Sequence, residues 1–187
     1  MNKIEEIKKD LKNILSSKRY EHSIGTMEKA RNLAKKYGED EEKAALTGLA
    51  HDIAKEMTIN EYKKYIKETN IQLTQEDKNC TNVLHGIIGA DIVKKKYNFT
   101  DEMCRAIYYH TTGINNMTIF EKIIFLADKI EEKTRTKEST QAIDKIIKEK
   151  GLDEAIIYII DNYTIPKIQN NNGIIHSNTV KMRNSLL

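Results

Sequence analysis

An all-α fold, a single-domain helical bundle, is predicted by three features of this sequence. Its 187 residues include only 1 Pro and 8 Gly, too few turn formers for a β-sandwich or barrel, which needs a turn every ~8–12 residues. Apolar residues recur at three- and four-residue spacing, the period of a helix with one buried face. No convincing alternating strand appears, and no internal repeat or low-complexity linker divides the chain.

The elements follow in order. Ile4, Ile7, Leu11, Ile14 and Leu15 predict a first helix, and Tyr20, Ile24, Met27, Ala30 and Ala34 a second. Gly38 ends that helix, because glycine readily takes the left-handed conformation of a C-terminal cap. Asp40 caps a third helix, Glu41 to about Lys55. Thr58 and Glu61 form a capping box that opens a fourth helix, as Thr118 and Glu121 do for the helix that runs to about Glu132. Between them lie a short helix from Thr74, a helix over Val83–Lys96, and one starting after Thr100, whose Asp101 and Glu102 suit the positive end of the helix dipole. Ser139 caps the next helix and Gly151 ends it. A last long helix begins near Asp153 and meets Pro166, where the missing N–H predicts a kink or stop. The run Asn170–Gly173 is a turn signal, followed by a short helical end.

Composition bounds the function. At 39% hydrophobic and 32% charged residues, a chain of this length buries roughly 70% of its unfolded surface and has a core without disulfides or a structural metal. The balance of 31 Lys+Arg against 28 Asp+Glu, a net +3, lacks the basic footprint of a dedicated nucleic-acid binder. Cys80 and Cys104 lack CxxC spacing, which argues against a thiolate zinc site and fits reduced thiols in the cytoplasm. The charged N-terminus is no signal peptide, and the apolar run from Ala155 to Ile160 is too short to span a bilayer.

The chemistry-bearing residues stand out by their setting. His22 lies near the apolar stripe of the second helix. His51 and Asp52 end the apolar run Ala44–Ala50, His85 sits between Val83-Leu84 and Ile87-Ile88, His110 closes Ala106–Tyr109, and Asp128 interrupts Ile123–Ala127. Burying such groups without partners is costly. Taken singly, each fits a hydrogen-bonded core residue, and Asp128 fits an exposed carboxylate beside Lys129. Taken together, imidazoles and carboxylates from separate helices could converge on a divalent ion such as Fe, Mn or Zn.

This ordered set, His22, His51-Asp52 and Asp128, resembles the H…HD…D signature of the HD-domain phosphohydrolases. Arg19–Ser23, Ala44–Lys55, His85-Gly86, Ala106–Gly113, Ala127–Glu131 and Ile175-His176 are similar to the YqeK-type HD hydrolases, along nearly the whole chain. The resemblance implies a single HD-type domain over residues 1–187, with a core at about 18–135 and C-terminal helices and tail at 139–187 completing the site. It implies a metal-dependent hydrolase that cleaves diadenosine tetraphosphate symmetrically into two ADP through a metal-activated water. The implied metal ligands are His22, His51, Asp52, Asp128, His85 and His110, with Asp52 able to bridge. The implied cofactor is a divalent metal, iron as a di-iron centre, with Mn, Zn, Co, Ni or Mg as alternatives.

Asp52, His85, His110 and Lys55 are the implied catalytic residues. Substrate contacts fall to Arg19, Asp52, Lys55, His85, His110, Thr111, Asp128, Arg135, Gly173, Ile174, Ile175 and His176. Lys55 fits a solvated last-turn lysine nearly as well, Arg19 fits a surface position, and His176 on residue grounds alone has no role. The family pattern D-x-I-E-P-x-R departs here to Asp128-Lys-Ile-Glu-Glu-Lys-Thr-Arg135, without the proline and one residue longer, so Arg135 and Lys133 compete for the arginine's place. The expected partner is a small nucleotide, with no membrane, no stable nucleic-acid binding, and a homodimer left open. Other readings are a different HD-type nucleotide phosphohydrolase or phosphodiesterase, and a non-catalytic nucleotide-sensing or ribosome-associated module.

Overall fold

Most helix starts follow local capping chemistry in the structure, a computed structural model that describes residues 2–187. Helix α1 (Lys3–Ile14) opens on Asn2, and α2 (Ser17–Tyr37) runs from a Ser16 cap to Gly38, whose φ of 74° is the left-handed conformation expected there. Asp40 accepts the Glu42 and Lys43 amides at the start of α3 (Glu41–Ala50). The capping boxes appear at α4 (Ile59–Thr69), where Thr58 meets Glu61, and at α5 (Gln75–Asn79), where Thr74 meets Asp77. A 3₁₀ turn, Thr81–Val83, leads into α6 (Leu84–Tyr97), and Thr100 caps α7 (Asp101–Tyr109). The third box, Thr118 with Glu121, opens α8 (Ile119–Ile130). Helices α9 (Lys137–Glu149), α10 (Leu152–Ile159), α11 (Ile165–Asn170) and α12 (Ser177–Ser185) complete the chain. There is no β-strand among the described residues, and no helix among them is long and apolar enough to cross a membrane.

Three expectations are corrected. The third helix stops at Ala50, and residues 51–56 form tight turns in which the amides of Ile53, Lys55 and Met57 bond to carbonyls three residues back. Such i→i+3 geometry eclipses side chains three apart, which brings Lys55 onto the Asp52 face. The cap of α9 is Thr136, which accepts the Ser139 amide, so Ser139 lies in the first turn of the helix it was expected to cap. The interruption expected at Pro166 comes earlier: α10 ends at Ile159, the chain widens into a π-turn, Ile160–Thr164, and it restarts with the proline in the first turn of α11, where an N–H is not needed.

Helix α8 is the innermost element. Phe120, Ile123, Ile124, Phe125, Leu126, Ala127 and Ile130 are all buried, each large side chain contributing about 1.5–3 kcal/mol through apolar burial. Helices α2 and α3 pack on each other and on α8, α6 packs on α7, and α9 and α10 cover the remaining flank. The ends are moored by polar clasps. Tyr97 donates its hydroxyl to Asp10 at 2.7 Å, fixing α1. Thr179 donates to the Thr112 carbonyl at 2.9 Å, and Arg183 makes a bidentate pair with Asp161 at 2.6 and 2.8 Å, fixing α12.

Candidate metal centre

Five elements deliver the six predicted metal ligands to one place. His22 comes from α2, His51 and Asp52 from the turns after α3, His85 from the first turn of α6, His110 from the C-cap of α7, and Asp128 from the last turns of α8. All are buried, His51 completely and Asp128 to 9% exposure, so Asp128 is no surface carboxylate. Gly86 permits the closeness of α6 and α7: a Cβ there would meet the Tyr108 and Ile107 carbonyl oxygens at 3.0 and 3.1 Å.

The cluster has two ends joined by Asp52. At one end His22 Nε2 lies 3.0 Å from Asp128 Oδ1 and 3.3 Å from His51 Nε2, with Asp52 Oδ2 3.4 Å from His51 Nε2. At the other, Asp52 Oδ1 lies 3.2 Å from His85 Nε2 and 3.5 Å from His110 Nε2, and the two imidazole nitrogens are 3.0 Å apart. His22, His51 and Asp128 form one group with ligand atoms close enough to share an ion, and His51, Asp52 and His110 form another.

The outer nitrogens show what the inner ones are for. His51 Nδ1–H donates to the Gly48 carbonyl and His110 Nδ1–H to the Ile107 carbonyl, both at 2.7 Å, while His22 Nδ1 faces Glu131 Oε1 at 3.1 Å. A carbonyl or carboxylate can only accept, so the proton is assigned to Nδ1 and the Nε2 lone pair points inward, the arrangement in which histidine holds metals. Asp52 Oδ1 is buried with no hydrogen-bond donor of adequate geometry, a condition that a cation relieves. The residues fit a divalent ion, and the donor set of imidazole and carboxylate without thiolate suits Fe, Mn or Zn.

Charge is distributed unevenly. Burial disfavours a charged His51, yet the Asp52 and Asp128 carboxylates outweigh it and hold its pKa up at about 9. Burial presses His85 down to about 4, opposed only in part by Asp52, and lowers His110 as well. Asp52 and Asp128 lie well below the usual carboxylate range: burial pushes each up, but His51 overcomes it at Asp52, and Lys129 and His22 at Asp128.

The HD domain family profile matches residues 19–133, the span that contains this whole cluster. The chain belongs to the HD-domain family. It is 39% identical over 184 residues to "Bis(5'-nucleosyl)-tetraphosphatase, symmetrical" of Halalkalibacterium halodurans, covering 92% of this chain and 91% of that one. The protein of the same description from Bacillus subtilis is 32% identical, covering 88% and 87%. A crystal structure described as a predicted HD superfamily hydrolase involved in NAD metabolism, from Clostridium acetobutylicum, superposes with a TM-score of 0.89 at 37% identity, covering 97% of this chain and 95% of that one.

Around the HD-domain cluster stand the other predicted site residues. Arg19 Nη1 donates to Asp52 Oδ2 at 2.8 Å. Lys55 Nζ lies 3.3 Å from His85 Nε2, and burial lowers its pKa. Thr111 Oγ1 is 3.3 and 3.2 Å from the Nε2 atoms of His85 and His110. Between the two candidates for the arginine's place, Arg135 is the one beside the cluster: its Nη2 donates to the Asp128 carbonyl at 2.8 Å, whereas Lys133 points outward to Glu28 at 3.5 Å.

The tail is placed differently. His176 Nε2 lies 3.2 Å from Asp77 Oδ1, its Nδ1 accepts the Asn178 amide, and the Ile174 carbonyl accepts the Cys80 thiol. Gly173 donates its amide to the Ile168 carbonyl, and Ile175 is half-buried. Among the described residues, no hydrogen bond or ion pair links 173–176 to the cluster; the segment is clipped to α5 instead.

Two neighbours of the HD-domain centre carry no role in the sequence reading. Glu131, fully buried, accepts from His22, the Lys133 and Thr134 amides and the Thr134 hydroxyl. Lys129 Nζ donates to Asp128 Oδ2 at 2.6 Å and to the His110 carbonyl at 3.1 Å, tying α8 to the end of α7. Glu131 follows Asp128 by three residues, one helical turn, a spacing that signals a shared face; Lys129 leaves no such signal.

Proposed function

We propose that this HD-domain chain is a metal-dependent hydrolase that splits a dinucleoside tetraphosphate at its central anhydride, converting diadenosine tetraphosphate into two ADP. The observation that carries the reading is the convergence of four imidazole Nε2 atoms on Asp52, whose Oδ2 serves His22 and His51 and whose Oδ1 serves His85 and His110. The naming of the two bacterial relatives supports the substrate class. His22, His51, Asp52, Asp128, His85 and His110 would hold the metal, and iron is our choice of ion. When bound, divalent ions bring a coordinated water to a near-neutral pKa and neutralise charge on phosphoryl oxygens.

The chain's own residues do the rest. Arg19, Lys55 and Arg135 border the cluster from three elements and suit the remaining charges of a four-phosphate chain, since a guanidinium matches phosphate bidentately and an ammonium acts as a point charge. Lys55, beside His85, is placed to neutralise the departing diphosphate. Thr111 offers a hydroxyl to the same phosphate oxygens. The Gly173–His176 segment, which leads into the helix whose Thr179 bonds to Thr112, is assigned to the substrate near its phosphates.

Chromatography of the products from diadenosine tetraphosphate, together with metal analysis of the purified protein, tests the reading. ADP as sole product with about two metal ions per chain supports it. AMP plus ATP overturns symmetrical cleavage, and stoichiometric retention of intact nucleotide overturns catalysis in favour of a binding module.

A further inference from the structure

The four imidazoles are not backed alike. His51 and His110 give their Nδ1–H to neutral backbone carbonyls. His22 alone faces a carboxylate, Glu131, through Nδ1. His85 has no such acceptor: Lys55 Nζ lies along its ring, 3.5 Å from Nδ1 and 3.3 Å from Nε2. A carboxylate behind a metal-binding histidine fixes its tautomer and raises its basicity, while a buried cation beside a ligand opposes a second cation.

Glu131 is built into this place. It is fully buried at the C-cap of α8, and both its carboxylate oxygens accept hydrogen bonds, from His22 and the Thr134 hydroxyl on one and the Lys133 and Thr134 amides on the other. Opposite it on α2 stands Gly25, where a Cβ would collide with Glu131 Oε2. Gly25 is an α-helical interior glycine, a position that costs about 1 kcal/mol relative to alanine, and the Glu131 carboxylate occupies the space it leaves.

We propose that Glu131 is a positioning residue for the ligand His22, and that the His22–His51–Asp128 end therefore takes up its metal ion before the His85–His110 end. This rests on the metal-dependent reading above and adds an order to it. The second end, with Lys55 at His85 and no carboxylate behind either imidazole, would hold its ion less tightly.

The test is titration of the metal-stripped full chain with Co²⁺, followed by visible absorbance and by competition with a chelator. The wild type is expected to bind in two steps, the first about tenfold or more tighter. Glu131→Gln keeps an acceptor for the Lys133 and Thr134 amides but removes the charge behind His22; it is expected to weaken the first step about 10–100-fold and leave the second unchanged. Gly25→Ala, which displaces the carboxylate without altering it, is expected to do the same. Far-UV circular dichroism of the stripped variants is expected to match the wild type, and their thermal unfolding to remain cooperative.

Two equal steps in the wild type, or a first step untouched in both variants, overturns the role of Glu131 while leaving the proposed function standing. Unfolding of both stripped variants makes Glu131 a structural clamp and overturns the assignment. A wild type that takes up no Co²⁺ and hydrolyses the tetraphosphate without metal overturns the proposed function, and this inference with it.

Discussion

His22 Nε2 and His51 Nε2 stand 3.3 Å apart, each ring having given its Nδ1–H to an outward acceptor. The Asp52 and Asp128 carboxylates keep His51 protonated up to about pH 9, so a proton fills that gap in the metal-free chain, and a divalent ion that displaces it gains both nitrogens as ligands. Metal ions that bind the folded chain should therefore stabilise it markedly. At a concentration one hundred times Kd the gain is about 2.7 kcal/mol, or roughly 5–10 °C in Tm for a domain of this size. Differential scanning fluorimetry with added Mn²⁺ and then excess EDTA checks this: the melting temperature should rise with the ion and fall back with the chelator.

Asp52 serves both ends of the cluster, so removing its charge should affect both ions. Asp52→Asn preserves volume and is expected to lower turnover of diadenosine tetraphosphate by about three orders of magnitude, the several kcal/mol that metal activation supplies. His51→Ala should do the same and lose metal content. Full activity in either variant, with circular dichroism showing an intact fold, would sink the metal-dependent reading.

Arg135 and Lys133 should separate in kinetics. Arg135 bonds to the Asp128 carbonyl beside the cluster, while Lys133 pairs with Glu28 on the surface, its side chain 35% exposed. Arg135→Ala is expected to lower kcat/KM about 10–100-fold, as for groups that orient metal ligands or hold phosphate. Lys133→Ala should change it by less than about twofold, because an exposed ion pair contributes ~0–1 kcal/mol. Equal losses in the two variants would contradict the placement.

The clasp on α1 predicts an acid limb of stability. Asp10 accepts from Lys96 and Tyr97, and those bonds lower its pKa below the ordinary value of 3.8. A depressed carboxylate contributes stability that is present above pH 3.8 and lost as pH falls through the lower folded pKa. Asp10→Asn should therefore cost about 1 kcal/mol in urea unfolding at pH 7, and the difference from wild type should shrink as acid protonates the carboxyl of the folded chain.

Much of the site was legible because its ligands are polar residues stranded in apolar helices. His85 and Asp128 interrupt apolar runs, His51 and His110 end them and His22 lies beside one; singly each fits an ordinary core or surface residue, and it is their order, resembling the HD signature, that makes the set legible. What the sequence hides is what depends on partners distant in the chain or on fine backbone geometry. Glu131 meets His22 across 109 positions, and no local pattern announces that pairing. The tight turns at 51–56 carry the same apolar spacing as an α-helix, so periodicity extends α3 too far. Thr136 and Ser139 are both hydroxyl caps three residues apart, and only the backbone decides which serves. The clipping of His176 to Asp77 on α5 likewise joins residues 99 apart.

The 109-residue gap between His22 and Glu131 bears on how the molecule is made. Chains emerge from the ribosome at about 5–20 residues per second, so His22 leaves the exit roughly 5 to 20 s before Glu131 follows. From the emergence of His51 until that of Asp128, the nascent chain exposes His22 and His51 without their carboxylate partners on α8. Ion capture in the proposed order thus waits for α8 to dock, and a stalled or truncated nascent chain sequesters no metal at the first-loading end.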